Sequence, residues 1–328
     1  MPRSSNQKLK LLMLAEIFKK ESSADRPLSL ADLIERLNAN GIEAERKSLY
    51  SDIETLSNFG IVIEKTGNSK STAYYLSNPD FELHELKLLA DAVACSKFIT
   101  EKKSRELIEK LGQLTNNHDA GELKRNVIVS DRIKNANEQI YYNIDTVQRA
   151  IKLNRKIKFR YFDYDHKKNK RYHNGGDFSE VSPYALCWRE ENYYLVCYYP
   201  KYDAVTNFRV DKMETVTILN DEKRLPQPKS FNLNEYTKKR FGMFSGRDER
   251  ITLKVHNSLS SVIFDRFGKN ITVSIEDEDH FTINQPVTVS NILFGWIIQF
   301  GDKIEIVSPE SVRDEFKNHI RTVMDMYK

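Results

Sequence analysis

The stretch that decides the fold reads Arg46-Lys47-Ser48-Leu49-Tyr50-Ser51-Asp52-Ile53-Glu54-Thr55-Leu56. Its apolar residues Leu49, Ile53 and Leu56 recur at the spacing that places side chains on one face of an α-helix. At 100° per residue they fall within roughly 60° of one another, so this face packs inward. The stretch therefore predicts a helix with one buried face and one face open to a partner.

The open face of this helix presents Lys47, Ser51 and Glu54, with Ser48 and Tyr50 beside them. Lysine, serine and tyrosine side chains reach phosphates and base edges when a helix lies in the major groove of DNA. A solvated helix surface has a similar composition, so the neighbouring elements decide between the two interpretations.

Two helices are predicted before the stretch. Apolar residues recur at helical spacing from Leu11 to Phe18 and again from Leu30 to Leu37. Ser29 is a suitable N-cap for the second of these helices, and Gly41 is a suitable terminator.

A β-hairpin is predicted after the stretch. Ile61–Ile63 and Ala73–Leu76 have β character, and the turn between them contains Gly67 and Asn68, which can adopt the positive φ angles of tight turns. Three helices followed by a hairpin form a winged helix-turn-helix, and this favours the DNA-binding interpretation. Lysines on either side of the turn can reach the DNA backbone or the minor groove. The residues predicted to bind DNA are Arg46, Lys47, Ser48, Tyr50, Ser51, Lys65 and Lys70.

Length and composition indicate a protein of two or three domains. The chain has 328 residues, of which 40% are hydrophobic and 30% charged.

No apolar run reaches the roughly 18–20 residues of a membrane span, and Lys10 and Glu16 interrupt the only stretch near the N-terminus that resembles a signal peptide. We therefore expect a cytoplasmic protein without a membrane partner. The three cysteines have no metal-ligand or disulfide spacing, so no metal site is expected.

The charges are distributed unevenly. Residues 1–80 carry 11 basic and 11 acidic side chains, whereas residues 241–328 carry 10 basic and 13 acidic ones. Residues 81–240 hold the remaining 30 basic and 23 acidic side chains, a net charge of +7. Nine of those lysines and arginines lie between Lys152 and His173, which indicates either a solvated surface or an attraction for phosphates.

The rest of the chain is predicted as a helical arm, a β-domain and a mixed C-terminal domain. The arm is helical from Glu82 to about Thr115, with a loop at residues 116–121, and a further helix covers Asp145–Asn154. The predicted strands of the β-domain are Ile157–Phe162, Val181–Trp188, Tyr193–Tyr199 and Asn207–Val210. Pro226 and Pro228 mark a linker, and the segments after it follow the order βαββαβ, which is that of a ferredoxin-like domain.

Several motifs resemble known families. The stretch quoted first, with Gly60 and Ile61 behind it, resembles the recognition helix of DeoR-type winged helix regulators, which often reads R-T-I-Y-R-D-I-x-x-L. Ser51 stands where arginine is common in that family, so one contact with DNA is missing here. Downstream motifs resemble the WYL domain and the C-terminal extension of WYL regulators. In the WYL motif, Tyr193 stands in place of the name-giving tryptophan. These motifs are Ser182–Leu186, Tyr193–Val196 and Phe208–Met213 for the domain, and Gly295–Gly301 and Ile304–Pro309 for the extension.

The resemblance implies an Sm-like β-barrel that senses a nucleotide or a short single-stranded nucleic acid. Tyr184 and Tyr194 can stack on a base, and Arg209 can bind a phosphate in a bidentate manner. Tyrosines of a small barrel also serve as core or rim packing, and that alternative stays open. The predicted effector-binding residues are Tyr184, Tyr194, Arg209, Arg171, Arg189 and Arg160.

Together these patterns predict an α+β protein made of a winged helix-turn-helix, an Sm-like small β-barrel and a ferredoxin-like C-terminal domain. The expected segments are 1–80 for DNA binding, 81–140 as the arm, 141–225 as the WYL domain and 240–328 for dimerisation. We expect a homodimeric transcription regulator, without cofactor or catalytic residues, whose binding to a double-stranded operator depends on the effector. The alternatives are an accessory protein that binds single-stranded nucleic acid, for example in phage defence, and an enzyme with an unrecognised site in the β-domain.

Overall fold

The computed structural model describes residues 7–68, 71–123, 134, 137–229 and 231–328. The chain divides into two compact units, Met1–Glu138 and Gln139–Lys328. Among the described residues, no helix combines the length and the apolar character that crossing a membrane requires.

The first unit opens with a winged helix-turn-helix. Its elements are Gln7–Glu21 (α1), Leu28–Ser29 (β1), Leu30–Ala39 (α2), Arg46–Asn58 (α3), Ile63–Thr66 (β2) and Ala73–Leu76 (β3). The three strands form an antiparallel sheet in the order β1-β3-β2. The β2–β3 hairpin is the wing, and α3 corresponds to the recognition helix predicted from the sequence.

Local signals explain where these elements begin and end. The Ser29 hydroxyl accepts a hydrogen bond from the Asp32 backbone N–H at 3.2 Å, and the Asp32 carboxylate accepts one from the Ser29 N–H at 2.8 Å, which closes a capping box on α2. Gly41, with φ at +72°, turns the chain after α2. In the wing, Gly67 has φ at +90°, and a Cβ there would lie 2.1 Å from the Ser71 carbonyl oxygen, so only glycine fits.

The winged helix has its own apolar core, built from the inward faces of all three helices and from strand β3. Burial of these side chains is the main stabilisation of such a small domain. The fully or nearly fully buried members include Leu14, Phe18, Leu33, Leu37, Leu49, Ile53, Leu56 and Tyr74.

The arm consists of Leu83–Cys95 (α4), Glu101–Gly112 (α5) and Asn117–Leu123 (α6). The stretch predicted as helical from Glu82 to about Thr115 thus holds two helices, because Thr100 starts a new helix by accepting a hydrogen bond from the Lys103 N–H at 3.2 Å. The predicted loop at residues 116–121 is wrong. There the Asn116 side chain accepts hydrogen bonds from the backbone N–H groups of His118 and Asp119, at 3.1 and 3.0 Å, and so caps α6.

The second unit begins with a helix followed by a curled antiparallel sheet. The elements are Ile140–Leu153 (α7), Arg155–Tyr164 (β4), Lys170–Tyr172 (β5), Ser179–Arg189 (β6), Asn192–Tyr199 (β7), Ala204–Arg209 (β8) and Met213–Lys223 (β9). The strand order is β5-β4-β6-β7-β8, with β9 also paired to β4. A helix followed by the order β9-β4-β6-β7-β8 is that of an Sm-like small barrel. The core of this barrel contains Ile157, Phe159, Leu195, Phe208, Val210 and Met213.

The segment after the barrel was predicted as a linker, but part of it packs on the barrel. A short helix, Leu233–Lys238 (α8), places Tyr236 in a cluster with Tyr194, Val196 and Met243. The Tyr236 hydroxyl donates a hydrogen bond to the Asn207 side-chain oxygen at 2.9 Å. This segment therefore covers one face of the β6–β7–β8 sheet.

The C-terminal part of the second unit is the predicted ferredoxin-like domain with one helix added. Its elements are Arg247–His256 (β10), Ser260–Phe267 (α9), Val273–Ile275 (β11), His280–Val289 (β12), Asn291–Ile298 (α10), Ile304–Ser308 (β13) and Glu310–Asp325 (α11). The antiparallel sheet has the order β11-β12-β10-β13. The βαββαβ order is thus confirmed, and its core includes Ile251, Leu253, Val255, Ile283, Leu293 and Phe294.

Candidate nucleic-acid and effector sites

The recognition helix α3 has the two faces that its sequence predicts. Leu49, Ile53 and Leu56 are buried, while the opposite face is exposed along its length. Tyr50 keeps 50% of its side-chain surface exposed although it is aromatic. An exposed helix face bearing cations, a hydroxyl and an aromatic ring is suited to a DNA groove. The exposed predicted contacts on this helix are Arg46, Lys47, Tyr50 and Ser51.

Ser48 differs from these four because it is half-buried and engaged within the fold. Its hydroxyl donates to the Glu45 carbonyl at 2.9 Å and accepts from Lys10 Nζ at 3.1 Å. Lys10 is itself buried and lies 2.6 Å from the Asp52 carboxylate. The sequence did not predict this arrangement, in which a lysine on α1 holds two residues of the recognition helix.

The recognition helix is also tied to the wing. Tyr74, on strand β3, is buried beside Tyr50, and burial together with a hydrogen bond to Tyr50 raises the pKa of the Tyr74 hydroxyl. Lys65 is exposed on β2, where it can reach toward a DNA backbone. Lys70, the other predicted wing contact, lies outside the described residues.

In the β-domain, Arg209 sits at the end of β8 with its guanidinium already paired. Arg209 Nε donates to Asp211 Oδ1 at 3.0 Å and its Nη2 to Asp211 Oδ2 at 2.8 Å, while Nη2 also reaches the Asn192 side-chain oxygen at 2.9 Å. These hydrogen bonds to Asp211 raise the pKa of Arg209. The fork predicted to hold a phosphate is therefore held by a carboxylate, which a ligand would have to displace.

The two predicted stacking tyrosines are covered. Tyr184 and Tyr194 are each only 6% exposed. The Tyr184 hydroxyl donates to the Pro226 carbonyl at 3.0 Å, its ring lies near Phe231, and Tyr194 belongs to the cluster under α8. Both rings pack in the fold, so stacking on a base requires the segment after the barrel to move away.

Arg160 and Arg171 lie on the side of the barrel formed by β4 and β5. The Arg160 guanidinium carbon is 4.9 Å and Lys158 Nζ is 5.1 Å from the centroid of the Phe178 ring, which is partly exposed. Arg171 lines a cavity of about 530 Å³ together with Asp163 and others. Arg171 pairs in register with Asp163 on β4, whereas Arg209 pairs in register with Tyr194 on β7.

Arg189 ends strand β6 at the β6–β7 hairpin, where it pairs in register with Asn192, the residue that contacts Arg209. Tyr194 and Arg209 are also register partners, on β7 and β8. Three of the six predicted effector residues thus lie near one end of the sheet. Asp211 was missed by sequence reasoning, although its signal is the opposite charge two residues after Arg209.

Asp277, in the acidic run Glu276–Asp279, is paired within the fold. The Asp277 carboxylate lies 2.7 Å from His280 Nδ1 and 3.1 Å from Lys254 Nζ. These two contacts lower the pKa of Asp277. The Asp277 carboxylate is therefore engaged by its own neighbours.

Three domain families match consecutive parts of this chain. Residues 142–218 match the WYL domain, residues 247–324 match the WCX domain, and residues 15–68 match the D3 domain of FokI. These domains support a WYL-domain regulator.

Two solved structures are similar to this chain at low sequence identity. The proteasome accessory factor PafBC of Arthrobacter aurescens is 17% identical, with 93% of this chain and 45% of that chain covered, at a TM-score of 0.28. A CRISPR Cas-related protein is 15% identical, with 97% of this chain and 84% of that chain covered, at a TM-score of 0.38. The chain thus spans less than half the length of PafBC. No curated protein matches it.

Proposed function

We propose that this protein is a cytoplasmic transcription regulator that binds a double-stranded operator through its winged helix. The observation that carries the proposal is the exposed face of α3, where Lys47 and Ser51 stand opposite the buried apolar face, Tyr50 lies beside them and Arg46 is exposed at the start of the helix. The wing lies beside this helix and adds Lys65. We propose a regulatory rather than an enzymatic role on this basis.

Residues 1–80 are electrically neutral, with 11 basic and 11 acidic side chains, which limits the affinity of one winged helix for DNA. Two copies double the number of phosphate contacts and read two half-sites, so we propose a homodimer that binds an inverted repeat. The C-terminal domain supplies a surface for it, because Val323 and Met324 on α11 are exposed apolar side chains. Light scattering on the purified chain gives the mass that tests this point.

The experiment that tests operator binding is sequencing of the genomic fragments that the purified full-length protein retains at a stated salt concentration. We expect enrichment of a short inverted repeat. The paired substitution Lys47→Ala and Tyr50→Ala abolishes that enrichment, whereas Lys110→Ala, on an exposed position of the arm, leaves it unchanged. Retention without any duplex motif, unaffected by the pair, contradicts the proposal.

We further propose that an effector with a phosphate group, a nucleotide or a single-stranded nucleic acid, binds the barrel at Arg209. Support comes from the position of Arg209 at one end of the sheet, beside Tyr194 and near Arg189. Effector binding changes operator affinity only if two conformations of the protein bind the effector with different affinities. The competition with Asp211 supplies such a difference, since the free state keeps Arg209 paired within the chain.

A second candidate function is favoured by one observation on β4. Lys158 and Arg160 both lie over the partly exposed ring of Phe178, an arrangement of cations and an aromatic ring that suits the backbone and bases of a single strand. An accessory protein of this kind binds single strands tightly without sequence preference. Loss of that binding in Arg160→Ala, with no effect of Lys47→Ala, favours this function over operator binding.

A further inference from the structure

The exposed face of α3 has a carboxylate near its centre. On a helix of 3.6 residues per turn, Glu54 projects within about 20° of the direction of Lys47. Tyr50 lies on one side of these two residues and Ser51 on the other, and all four side chains are exposed. The four positions are i, i+3, i+4 and i+7, the spacing with which the recognition helix of a homeodomain reaches base edges in the major groove. Glu54 thus completes a set of positions of which three were already predicted to contact DNA.

Three carboxylates lie on α3 and on the two strands of the wing, and two of them are engaged within the fold. The Asp52 carboxylate lies 2.6 Å from Lys10 Nζ, and the Glu64 carboxylate accepts a hydrogen bond from the Tyr75 hydroxyl at 2.8 Å. Within the described part of the chain, the Glu54 carboxylate has no hydrogen-bond or ion-pair partner. It is therefore the one carboxylate of these three elements that is available to a partner from outside.

A carboxylate on a face that binds DNA is unfavourable unless it meets a hydrogen-bond donor. The phosphates repel it, and an ionised glutamate accepts hydrogen bonds but donates none. In the major groove, guanine presents two acceptors and thymine presents an acceptor and a methyl group, while the amino group of adenine lies next to the acceptor N7. Cytosine presents its N4 amino group without an acceptor beside it, so cytosine is the base that suits a glutamate.

We propose that Glu54 determines sequence specificity by accepting a hydrogen bond from the N4 amino group of a cytosine in each half-site of the operator. This inference rests on the proposed binding of a double-stranded operator. Because the carboxylate repels duplexes that lack cytosine at this position, Glu54 contributes discrimination rather than affinity. Residues 1–80 carry 11 basic and 11 acidic side chains, so their nonspecific attraction for DNA is weak and contacts with single bases weigh more in the choice of site.

The packing of α3 fixes the direction of Glu54. Three apolar side chains are buried on the opposite side of the helix. On its flank, Lys10 pairs with Asp52 and donates a hydrogen bond to the Ser48 hydroxyl at 3.1 Å. A side chain on a helix that is held in this way is positioned more precisely than one on a loop, which base recognition requires.

Selection from a random duplex library by the purified full-length protein, at a stated salt concentration, tests the assignment. We expect one position of the wild-type half-site to be cytosine. A glutamine side chain both donates and accepts, and so pairs with N6 and N7 of adenine. Glu54→Gln should therefore change the preferred base at that position from cytosine to adenine, while the rest of the motif stays the same. Glu54→Ala should lose the preference at that position alone.

Fluorescence anisotropy on two duplexes that differ in this one base pair measures the size of the effect. The wild type should bind the cytosine duplex about tenfold more tightly than the other duplex. In Glu54→Ala the two Kd values should become nearly equal, chiefly because the other duplex is bound more tightly than before. The matched control is Glu16→Gln, at an exposed glutamate on α1, which makes the same change of charge outside the recognition helix. It should leave every preferred base unchanged.

The possible outcomes separate this inference from the proposed function. A wild-type motif that persists with every base unchanged in Glu54→Gln and Glu54→Ala would overturn the role of Glu54, while operator binding would stand. A loss of preference at all positions in both variants would also overturn it, because Glu54 would then support the fold of α3 rather than contact one base. If the wild type retains no duplex motif, operator binding itself is wrong, and the inference fails with it.

Discussion

Lys10 and Asp52 form an ion pair between α1 and the recognition helix, with Lys10 Nζ 2.6 Å from Asp52 Oδ2. The side chains are only 8% and 16% exposed. This carboxylate oxygen has no well-aligned hydrogen bond, so the contact is mainly electrostatic. Because Lys10 Nζ also donates to the Ser48 hydroxyl, one lysine fixes two points on α3 and thereby the direction of its exposed face.

Replacing Lys10 should destabilise the winged helix. Lys10→Met leaves Asp52 with an unpaired, mostly buried charge, and removing one partner of a buried pair costs about 3 kcal/mol. Hydrogen exchange measured by mass spectrometry should show the amides of α1 and α3 exchanging about 100-fold faster. Lys8→Met, at an exposed position of the same helix, serves as the control and should leave exchange unchanged.

The double variant Lys10→Met with Asp52→Leu separates the ion pair from other effects of the substitution. An apolar pair of similar volume leaves no buried charge, so the amides of α1 and α3 should regain most of their protection against hydrogen exchange. If the loss of protection against hydrogen exchange in the double variant equals the sum of the losses in the two single variants, the ion pair contributes nothing beyond the packing of its methylene groups.

Arg46 should contribute affinity for DNA without contributing sequence preference. It lies exposed at the start of α3 and close to the edge of the buried face, a position that suits contact with phosphate better than contact with base edges. Arg46→Ala should weaken binding to all duplexes alike and reduce the slope of log K against log salt concentration by about 0.9. Fluorescence anisotropy at four salt concentrations measures this slope. An unchanged slope together with an altered preferred sequence would assign base readout to Arg46.

Elements with strong periodicity could be predicted from the sequence. The helix at Arg46–Asn58 shows three apolar residues on one face, and the C-terminal βαββαβ order follows from alternating apolar segments. The elements that were missed lack such a signal. Strand β9 was overlooked because most of its residues are polar, and it is held by pairing with the distant strand β4, which no local pattern reveals.

The candidate sites show the same limit. An exposed helix face is a property of the local sequence, so the surroundings of Lys47 and Tyr50 could be anticipated. The surroundings of Tyr184 depend on Pro226 and Phe231, more than forty residues away, and no spacing rule connects them. Lys10 was read as an interruption of an apolar stretch, because its partner Asp52 is brought close only by the tertiary fold.

Stability of the second unit should depend on pH through Asp163. A hydrogen bond from Lys212, followed by one from His173, lowers the pKa of Asp163 below its ordinary value of 3.8. A carboxylate whose pKa is lowered in the folded state stabilises the fold above its unfolded pKa, and this contribution is lost as pH falls through the folded pKa. The free energy of unfolding of the wild type should therefore exceed that of Asp163→Asn above pH about 4, and the difference should shrink at lower pH.

Urea unfolding followed by tryptophan fluorescence between pH 3 and pH 6 measures this difference, since both tryptophans, Trp188 and Trp296, lie in the second unit. Asp221→Asn, at an exposed position on β9, is the matched control and should track the wild type. The half-exposed position of Asp163 makes the effect small. If the difference in the free energy of unfolding between the wild type and Asp163→Asn does not vary with pH, titration of this carboxylate is not the cause of the difference.

Asp211→Asn should strengthen effector binding, because Asp211 occupies the edge of Arg209 that a phosphate needs. The asparagine has nearly the same shape but no charge, so a phosphate displaces it at a lower cost in free energy. A 5′-phosphorylated single-stranded oligonucleotide, followed by fluorescence anisotropy, should bind about tenfold more tightly, which corresponds to about 1.4 kcal/mol. Arg209→Ala should abolish binding, and Asp221→Asn should leave the Kd unchanged. Weaker binding in Asp211→Asn would instead mean that the carboxylate holds Arg209 in the orientation that the phosphate requires, and competition would then have no part in sensing.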